Sequence, residues 1–403
     1  MSTAANRPGA REAGLLQGIS LVLPITLAVM GVVVLAPDLP QLQAHFKNVP
    51  NADFWVPMIL TTPALCVAIF SAPAGFLGDR FGRRKLLIAS MIVYSLVGTA
   101  PLFLDNFNLI LVSRVGVGLC EAMVMTLSTT LIGDFFKGEK RDRWLASQTA
   151  MASLSALVLL NIGGLLGVLG WRGPFLMYAS SLVMLLGVVF FTWEQGPDDE
   201  RRQAEIIGST AAFPWLRMAG ICLVTVFASV MFYTVQIETS VGLHDHGVVD
   251  TRTLGWLTSI ASLGVPVGTI VFRFVDRIPT ALLLMLEFGI LGAGFIGMTH
   301  AADVNGFLAS AALNQIGAGM ILPTLLTWAM RGLAYEVRGR GTGIWTAAFS
   351  IGQFICPIAI TLISRQTGGL LPSFQVLGFA CLAACLLALF SVMPAGWRTK
   401  TAV

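Results

Sequence analysis

Charged residues are scarce in this chain: they make up 11% of its 403 residues, whereas hydrophobic residues make up 56%. Soluble globular domains carry about 25% charged residues. Apolar residues in this proportion cannot be buried in a water-soluble core, so the bilayer must be their solvent. The net charge of +4 does not indicate a nucleic-acid partner, because the cations lie in short segments beside apolar runs.

Several motifs of other protein classes are also missing. The chain has no Gly-Lys-Ser/Thr loop to cradle phosphates, so ATP is excluded as the energy source. The six cysteines lie in apolar runs without paired zinc spacing, and we interpret them as packing residues. His244 and His246 resemble a metal pair, but a solvated outer loop is the better interpretation. We therefore predict no enzyme, no cofactor and no metal.

What the sequence has instead is twelve apolar runs, each long enough to cross about 30 Å of hydrocarbon. They predict an all-α membrane protein. The first run is too long for a secretory signal and is followed by eleven more, so we interpret it as a retained helix. The predicted helices lie near 17–37, 54–76, 86–104, 108–133, 144–169, 174–193, 215–240, 253–274, 280–300, 307–332, 342–364 and 372–393.

Lysine and arginine mark one side of this predicted bundle. With both termini in the cytoplasm, Arg114 lies within a span and most of the other 24 cations fall in cytoplasmic segments. The outer segments contain Lys47, Arg172, Arg252 and Arg365. Because cytoplasmic loops of membrane proteins are enriched in lysine and arginine, this bias predicts cytoplasmic termini. We expect a bacterial-type inner (plasma) membrane.

The longest polar stretch divides the chain into halves. Residues 194–213 are rich in charge and contain Gly and Pro, which is typical of a linker. They separate a predicted six-helix half at 1–193 from a second at 214–403. Asp79 is echoed by Asp276 after 197 residues, and Asp38 by Glu238 after 200. Echoes at nearly one spacing favour two pseudo-symmetric halves that arose by duplication.

Residues 75–85 read Gly-Phe-Leu-Gly-Asp-Arg-Phe-Gly-Arg-Arg-Lys between two apolar runs. The charges predict a tight cytoplasmic loop, and the glycines allow two helix ends to approach closely. The run resembles the signature between helices 2 and 3 of the major facilitator superfamily. We expect it to gate the cytoplasmic side. The gating candidates are Gly75, Gly78, Asp79, Arg80, Gly82, Arg83 and Arg84.

Other stretches extend the resemblance over nearly the whole chain. Residues 36–42 resemble the Pro-x-Leu-Pro segment of drug-efflux branches. Residues 114–118, Arg-Val-Gly-Val-Gly, resemble an Arg-x-x-x-Gly element that the family associates with proton coupling. Gly163 and Gly164 lack the Gly-Pro that precedes such a pair in proton-driven antiporters, so the direction of transport stays open. The resemblance implies alternating access around a midplane cavity formed by helices 1, 2, 4, 5, 7, 8, 10 and 11.

Two ionisable residues share one face of the fourth predicted helix. Arg114 and Glu121 are seven residues apart, which is two helical turns. A charge at mid-membrane costs about 2.5–3.5 kcal/mol or more, so it needs a partner or a wet cavity. Glu121 is therefore the leading proton-coupling candidate, with Arg114 beside it. A static Arg–Glu pair that holds the helices in register is the alternative.

Further polar side chains are candidates for the cavity or for an outer gate. Asp38 and Glu238 lie at the outer ends of predicted helices 1 and 7, where a gate, a solvated helix end and substrate contact are all open interpretations. The amides and aromatics of the spans either line the cavity or bridge helices. The substrate-cavity candidates are Asn161, Tyr233, Gln236, Asn314, Gln315, Trp345 and Gln353.

These observations predict a secondary transporter of a small organic solute. The leading hypothesis is proton-coupled efflux of an amphipathic compound or drug. An alternative is proton-linked uptake of an organic anion, with Arg114 as the carboxylate anchor. A non-transporting membrane sensor or scaffold is an alternative of another class. We expect the solute, protons and the lipid bilayer as partners, no nucleic acid, no ATP, and a monomer.

Overall fold

The structure, a computed structural model, describes residues 13–194, 213–331, 333 and 337–392. The predicted linker therefore lies almost entirely outside the described residues. Twelve helices in the described part are long and apolar enough to cross a membrane. In chain order, α1 to α12 are Leu15–His45, Ala52–Phe81, Arg83–Leu102, Phe107–Phe135, Gly138–Gly167, Gly173–Phe191, Trp215–Asp245, Thr251–Val275, Thr280–Thr299, Val304–Met330, Gly339–Thr367 and Leu370–Leu389.

The first and seventh helices extend further outward than their apolar runs predict. α1 continues to His45 through a 3₁₀ turn at Ala36–Asp38, where Pro37 interrupts the regular helix. α7 continues to Asp245. Asp38 and Glu238 consequently lie within these spans and are buried. The interpretation of the two acids as solvated helix ends is wrong.

The predicted loop at 75–85 is almost entirely helical. α2 runs to Phe81 and α3 begins at Arg83, so the connection is Gly82 alone. Its φ of +92° is a conformation that glycine adopts without steric strain, and this permits a one-residue turn between two long helices. The prediction of a loop over the whole run is therefore corrected. The glycines at 75 and 78 lie inside α2.

Helix packing repeats after six helices. α2 packs on α4 as α8 packs on α10, and α3 packs on α6 as α9 packs on α12. α1 packs on α5 as α7 packs on α11. Because their helix neighbours match, α1–α6 and α7–α12 form two bundles with the same arrangement of helices.

The two bundles meet along a seam between α5 and α8, between α2 and α11, and between α1 and α7. Gly164 and Gly255 form its α5–α8 contact, and a Cβ atom on Gly164 would lie 2.8 Å from the Gly255 Cα. Gly163 similarly faces the backbone of Val34 in α1. The paired glycines noted in the sequence therefore allow close contact of helix backbones, as small residues do in membranes.

Candidate functional site

A cavity of about 270 Å³ lies between the two bundles. All eight helices that the sequence analysis assigned to a central cavity contribute to its wall: α1, α2, α4, α5, α7, α8, α10 and α11. Most of the wall is apolar, as ligand cavities usually are. The polar lining residues are Glu121, Ser153, Tyr233, Gln236, Ser262, Thr346, Ser350 and Gln353.

Glu121 is the carboxyl group of this wall, and its side chain comes from the middle of α4. The residue is only 3% exposed, and its Oε1 atom has no hydrogen-bond partner among the described residues. Gly31 of α1 lies against the carboxylate: a Cβ atom there would be 2.5 Å from Oε1. The absence of a side chain at Gly31 therefore makes the space that Glu121 occupies.

Two buried tyrosines stand near this carboxyl but bond elsewhere. Tyr94 donates its hydroxyl proton to the carbonyl of Leu27 at 2.7 Å, and Tyr178 donates to the carbonyl of Gly31 at 3.5 Å. Both acceptors belong to α1. The tyrosines thus tie α3 and α6 to α1 rather than satisfying Glu121.

Arg114 lies in a separate environment, although it shares a helix face with Glu121. It is fully buried, and its guanidinium lies over the rings of Phe175 and Tyr178, at 5.1 and 4.7 Å from their centroids. One Nη donates to the carbonyl of Gly98 at 3.1 Å. Arg114 does not line the cavity and forms no ion pair with Glu121 in the described structure. The prediction of a shared cavity face is therefore wrong for Arg114.

The structure separates the predicted cavity residues into two groups. Tyr233, Gln236 and Gln353 line the cavity, whereas Asn161, Asn314, Gln315 and Trp345 do not. The helix-bridging alternative, left open for all of them, describes Asn161. Its amide donates to Ser259 Oγ of α8 at 2.8 Å and so joins the two bundles.

The remaining two amides and the tryptophan lie behind the wall. Asn314 donates to the carbonyl of Leu291 in α9 at 2.9 Å, and Gln315 accepts from Gln236 at 2.6 Å. Trp345 stacks on Phe349, with 5.7 Å between ring centroids. These residues support the cavity rather than line it.

Sequence reasoning missed several residues of the wall. Phe232 and Phe349 present aromatic surface, and Ser262, Thr346 and Ser350 present hydroxyls. Serines, threonines and phenylalanines are common throughout the spans, so neither their type nor their spacing marks these positions. Their role depends on which helix face meets the other bundle.

The predicted gating run forms a charge cluster within the first bundle. Arg83 donates through Nε to Asp79 at 2.9 Å and through one Nη to Asp134 of α4 at 2.6 and 2.7 Å. Arg84 donates to the carbonyl of Val189 at 2.8 Å. The cluster therefore links α2, α3, α4 and α6.

The rest of the run packs locally. Arg80 is exposed beside the Phe81 ring, at 5.5 Å from its centroid. Gly78 faces Leu127, and Gly75 approaches Thr126 with room for an ordinary contact. Close helix approach is therefore required at Gly78 and not at Gly75.

Several hydrogen bonds join the two bundles toward the predicted outer end. Arg365 of α11 donates through Nε and one Nη to the two carboxylate oxygens of Asp53 in α2, at 2.8 and 2.9 Å. Ser240 of α7 donates to the carbonyl of Ala36 in α1 at 2.6 Å. The cavity is consequently closed toward this end.

The two acids echoed between the halves are near this closure but not bonded to each other. Asp38 is fully buried against Gly167, and neither of its carboxylate oxygens has a hydrogen-bond partner among the described residues. Glu238 is also buried, and neither acid lines the cavity. Both positions are compatible with a gate and not with direct substrate contact in this conformation.

The two histidines lie at the outer end of α7. His244 is exposed, and the His246 ring nitrogen Nδ1 is 2.7 Å from the carbonyl of Gly242. Within the described ranges, histidine, cysteine and acidic side chains form no group of three or more that could hold a metal ion.

Comparison with known proteins identifies relatives over most of the chain. The family model for the Major Facilitator Superfamily matches residues 21–331 and 221–402. The class C tetracycline resistance protein of Escherichia coli is 24% identical over 385 residues, covering 91% of this chain and 94% of that protein. The bacillibactin exporter of Bacillus subtilis strain 168 is 25% identical over 385 residues, covering 90% of this chain and 93% of that protein.

Solved structures share the fold at low identity. A D-xylose–proton symporter superimposes with a TM-score of 0.75 and 14% identity, covering 93% of this chain and 97% of that one. A bacterial homologue of the human lysosomal transporter Spinster, inward-facing and unoccupied, superimposes with a TM-score of 0.73 and 15% identity. The match covers 93% of this chain and 94% of that one.

Proposed function

The chain belongs to the major facilitator superfamily, and on that premise we propose that it exports an amphipathic organic compound in exchange for protons. Membership makes it a membrane transporter rather than an enzyme. The solute, the direction and the coupling ion are the parts that we propose. The wall of the central cavity supports them, and so do two relatives aligned over most of their length, a tetracycline resistance protein and a bacillibactin exporter.

The single observation that carries the proposal is the position of Glu121. It is the charged residue of the described cavity wall, in a lining that is otherwise apolar or neutral. Proton binding would neutralise the Glu121 carboxylate, whose charge these apolar neighbours solvate poorly. Solute or water in the cavity would favour release of the proton. One carboxyl in contact with the cavity could therefore exchange a proton for a solute in each cycle.

The closed outer end supports the assignment of a transport state. If the termini are cytoplasmic, the seam of α2–α11 and α5–α8 contacts seals the outside, and this conformation is inward-facing. A compound in the cytoplasm or inner leaflet would then reach the cavity. We place the protein in a bacterial-type inner membrane with both termini in the cytoplasm, as the distribution of lysine and arginine predicts.

The alternative of organic-anion uptake has less support from the position of Arg114 in the structure than from the sequence alone. That alternative requires Arg114 as an anchor in the cavity, but the guanidinium is enclosed by Phe175, Tyr178 and the Gly98 carbonyl. Among the described lining residues, none is a lysine, arginine or histidine. An acidic wall would repel an anionic solute.

Glu121→Gln tests the proposal in proteoliposomes with and without a pH gradient, using tetracycline and a panel of amphipathic dyes. The amide mimics the protonated carboxyl, so the variant should bind solute and catalyse solute counterflow. It should no longer concentrate solute at the expense of the gradient. Glu287→Gln is the matched control, because Glu287 is a buried glutamate of α9 that bonds Thr324 and lies outside the cavity.

Two outcomes would contradict the proposal. If Glu121→Gln still concentrates solute under a pH gradient, the proton site lies elsewhere, and Asp38 and Glu238 become the candidates. If the unmodified protein moves none of the compounds in either direction, the sensor or scaffold alternative gains support.

A further inference from the structure

Four polar side chains form one line of hydrogen bonds that begins in the cavity and ends behind it. Ser262 donates to Gln236 Oε1 at 3.4 Å, and Gln236 Nε2 donates to Gln315 Oε1 at 2.6 Å. Gln315 Nε2 is 3.5 Å from Asn314 Oδ1, and Asn314 Nδ2 donates to the carbonyl of Leu291 at 2.9 Å. Ser262 and Gln236 line the cavity, and the other two side chains are fully buried.

The backbone carbonyl at the far end fixes the direction of the whole line. A carbonyl can only accept, so Asn314 must present its amide nitrogen to Leu291 and its oxygen to Gln315. Gln315 must then present its oxygen to Gln236, and Gln236 its oxygen to Ser262. A hydroxyl has one proton. Because Ser262 donates this proton to Gln236, the lone pairs of its oxygen remain as acceptors toward the cavity.

We propose that Asn314 and Gln315 are positioning residues that set the hydrogen-bond polarity of the Gln236–Ser262 subsite, so that it takes the hydroxyl or amine donor of an amphipathic solute. This inference rests on the proposed transport function and names a chemical class for its solute. The apolar part of the solute lies against Phe232 and Phe349, whose ring centroids are 6.1 Å apart on the same side of the cavity.

Loss of the line would change the subsite in a particular way. An amide side chain can exchange its oxygen and nitrogen by a half-turn, and its neighbours decide which orientation holds. Without Gln315, Gln236 can turn its nitrogen toward Ser262. The serine then accepts from that nitrogen, and its proton points into the cavity. The subsite would lose its preference for a donor without losing any atom of its own.

The test compares two fluorescent amphipathic dyes that differ in one group, an aliphatic hydroxyl or its methyl ether. KM and maximal rate are measured in proteoliposomes. The unmodified protein should favour the hydroxyl dye in KM by about 3- to 10-fold, as one hydrogen bond would give. Ser262→Ala and Gln315→Leu should each bring this ratio close to one.

Gln315→Glu distinguishes positioning from packing. A protonated glutamate has the shape of glutamine, accepts from Gln236 and donates to Asn314, so it should keep the preference of the unmodified protein. Gln148→Leu is the matched control, because Gln148 is a buried amide that bonds Ser128 and Thr129 and does not line the cavity. It should leave the ratio unchanged.

A KM ratio of one in the unmodified protein would overturn the inference, and so would an unchanged ratio in Gln315→Leu. Either result leaves the proposed transport function intact, because transport itself is then observed. If Gln315→Leu does not fold, Asn314→Leu decides the matter by the same ratio, because it removes the other positioning residue of the line. If neither these dyes nor any other compound is moved, the proposed function fails and this inference fails with it.

Discussion

At the scale of single residues, the cavity depends on a neighbour that has no side chain. Gly31 of α1 lies against the Glu121 carboxylate, and its missing Cβ is the reason that a carboxyl from α4 can occupy the wall. Two tyrosines fix the same stretch of α1 by donating to the carbonyls of Leu27 and Gly31. The carboxyl group thus comes from α4, whereas the stretch of α1 beside it is held by α3 and α6. Small changes in α1 should therefore affect the site.

Gly31→Ala should lower proton-driven transport by about tenfold, because the added methyl group would lie 2.5 Å from Glu121 Oε1 and displace it. Transport rate and membrane insertion are measured together in proteoliposomes. Gly220→Ala is the control: it also adds one methyl group within a span, but into open space, with no atom within 4 Å. Equal rates in the two variants would show that the position of the carboxyl is not critical.

At the scale of helices, the α2–α11 contact combines charge with a fixed geometry. Asp53 and Arg365 form a bidentate pair, the strongest arrangement for these groups, although both side chains are about half exposed. Exposed pairs contribute about 0–1 kcal/mol. A contribution of this size can bias the outer closure and still let the bundles separate in each cycle.

We therefore expect Asp53→Arg to slow transport about two- to fivefold by placing two cations at the closure. Asp53→Arg combined with Arg365→Asp should restore the rate, because the exchanged charges attract again. Swapping Glu139 and Arg143 serves as the control, since this exposed pair lies within α5 alone. A double variant as slow as the single one would mean that packing, not charge, closes this end.

At the scale of the whole molecule, the orientation predicted from lysine and arginine assigns every connection to a side of the membrane. Lys47 and Lys140 are exposed lysines at opposite ends of the bundle. In a background without the native cysteines, Lys47→Cys should react with a membrane-impermeant maleimide on intact cells. Lys140→Cys should react only after permeabilisation. The reverse pattern would invert the topology and the assigned direction of transport.

The number of spans, the packing of two bundles and the eight cavity helices could be predicted from the sequence. The apolar runs predict the number of spans, and the polar stretch and the echoed acids predict the two bundles. The eight cavity helices follow only from the resemblance to the superfamily. The environment of each polar side chain could not be predicted. Arg114 and Glu121 share a face but lie about 10 Å apart along α4, so α3 and α6 surround one of them while α1 and the cavity face the other.

The same reason explains the amides and the outer acids. Gln236 and Gln315 are identical in type and both lie within spans, yet only the first lines the cavity. The apolar run stops at Asp38 and so predicts a helix end there, although the helix continues past it. Hydropathy indicates which segments can lie in the membrane, whereas the packing of the helices determines the neighbours of each side chain.

The glycines of the α5–α8 seam have a kinetic consequence. Gly164 and Gly255 bring two backbones together with no side chain between them. A side chain at such a junction would have to be reordered each time the junction formed, at about 0.5–2 kcal/mol for a long one, whereas glycine has no rotamers to lose. The two faces can therefore part and rejoin without a search among side-chain conformers. A junction of this kind favours rapid turnover over a long-lived closed state.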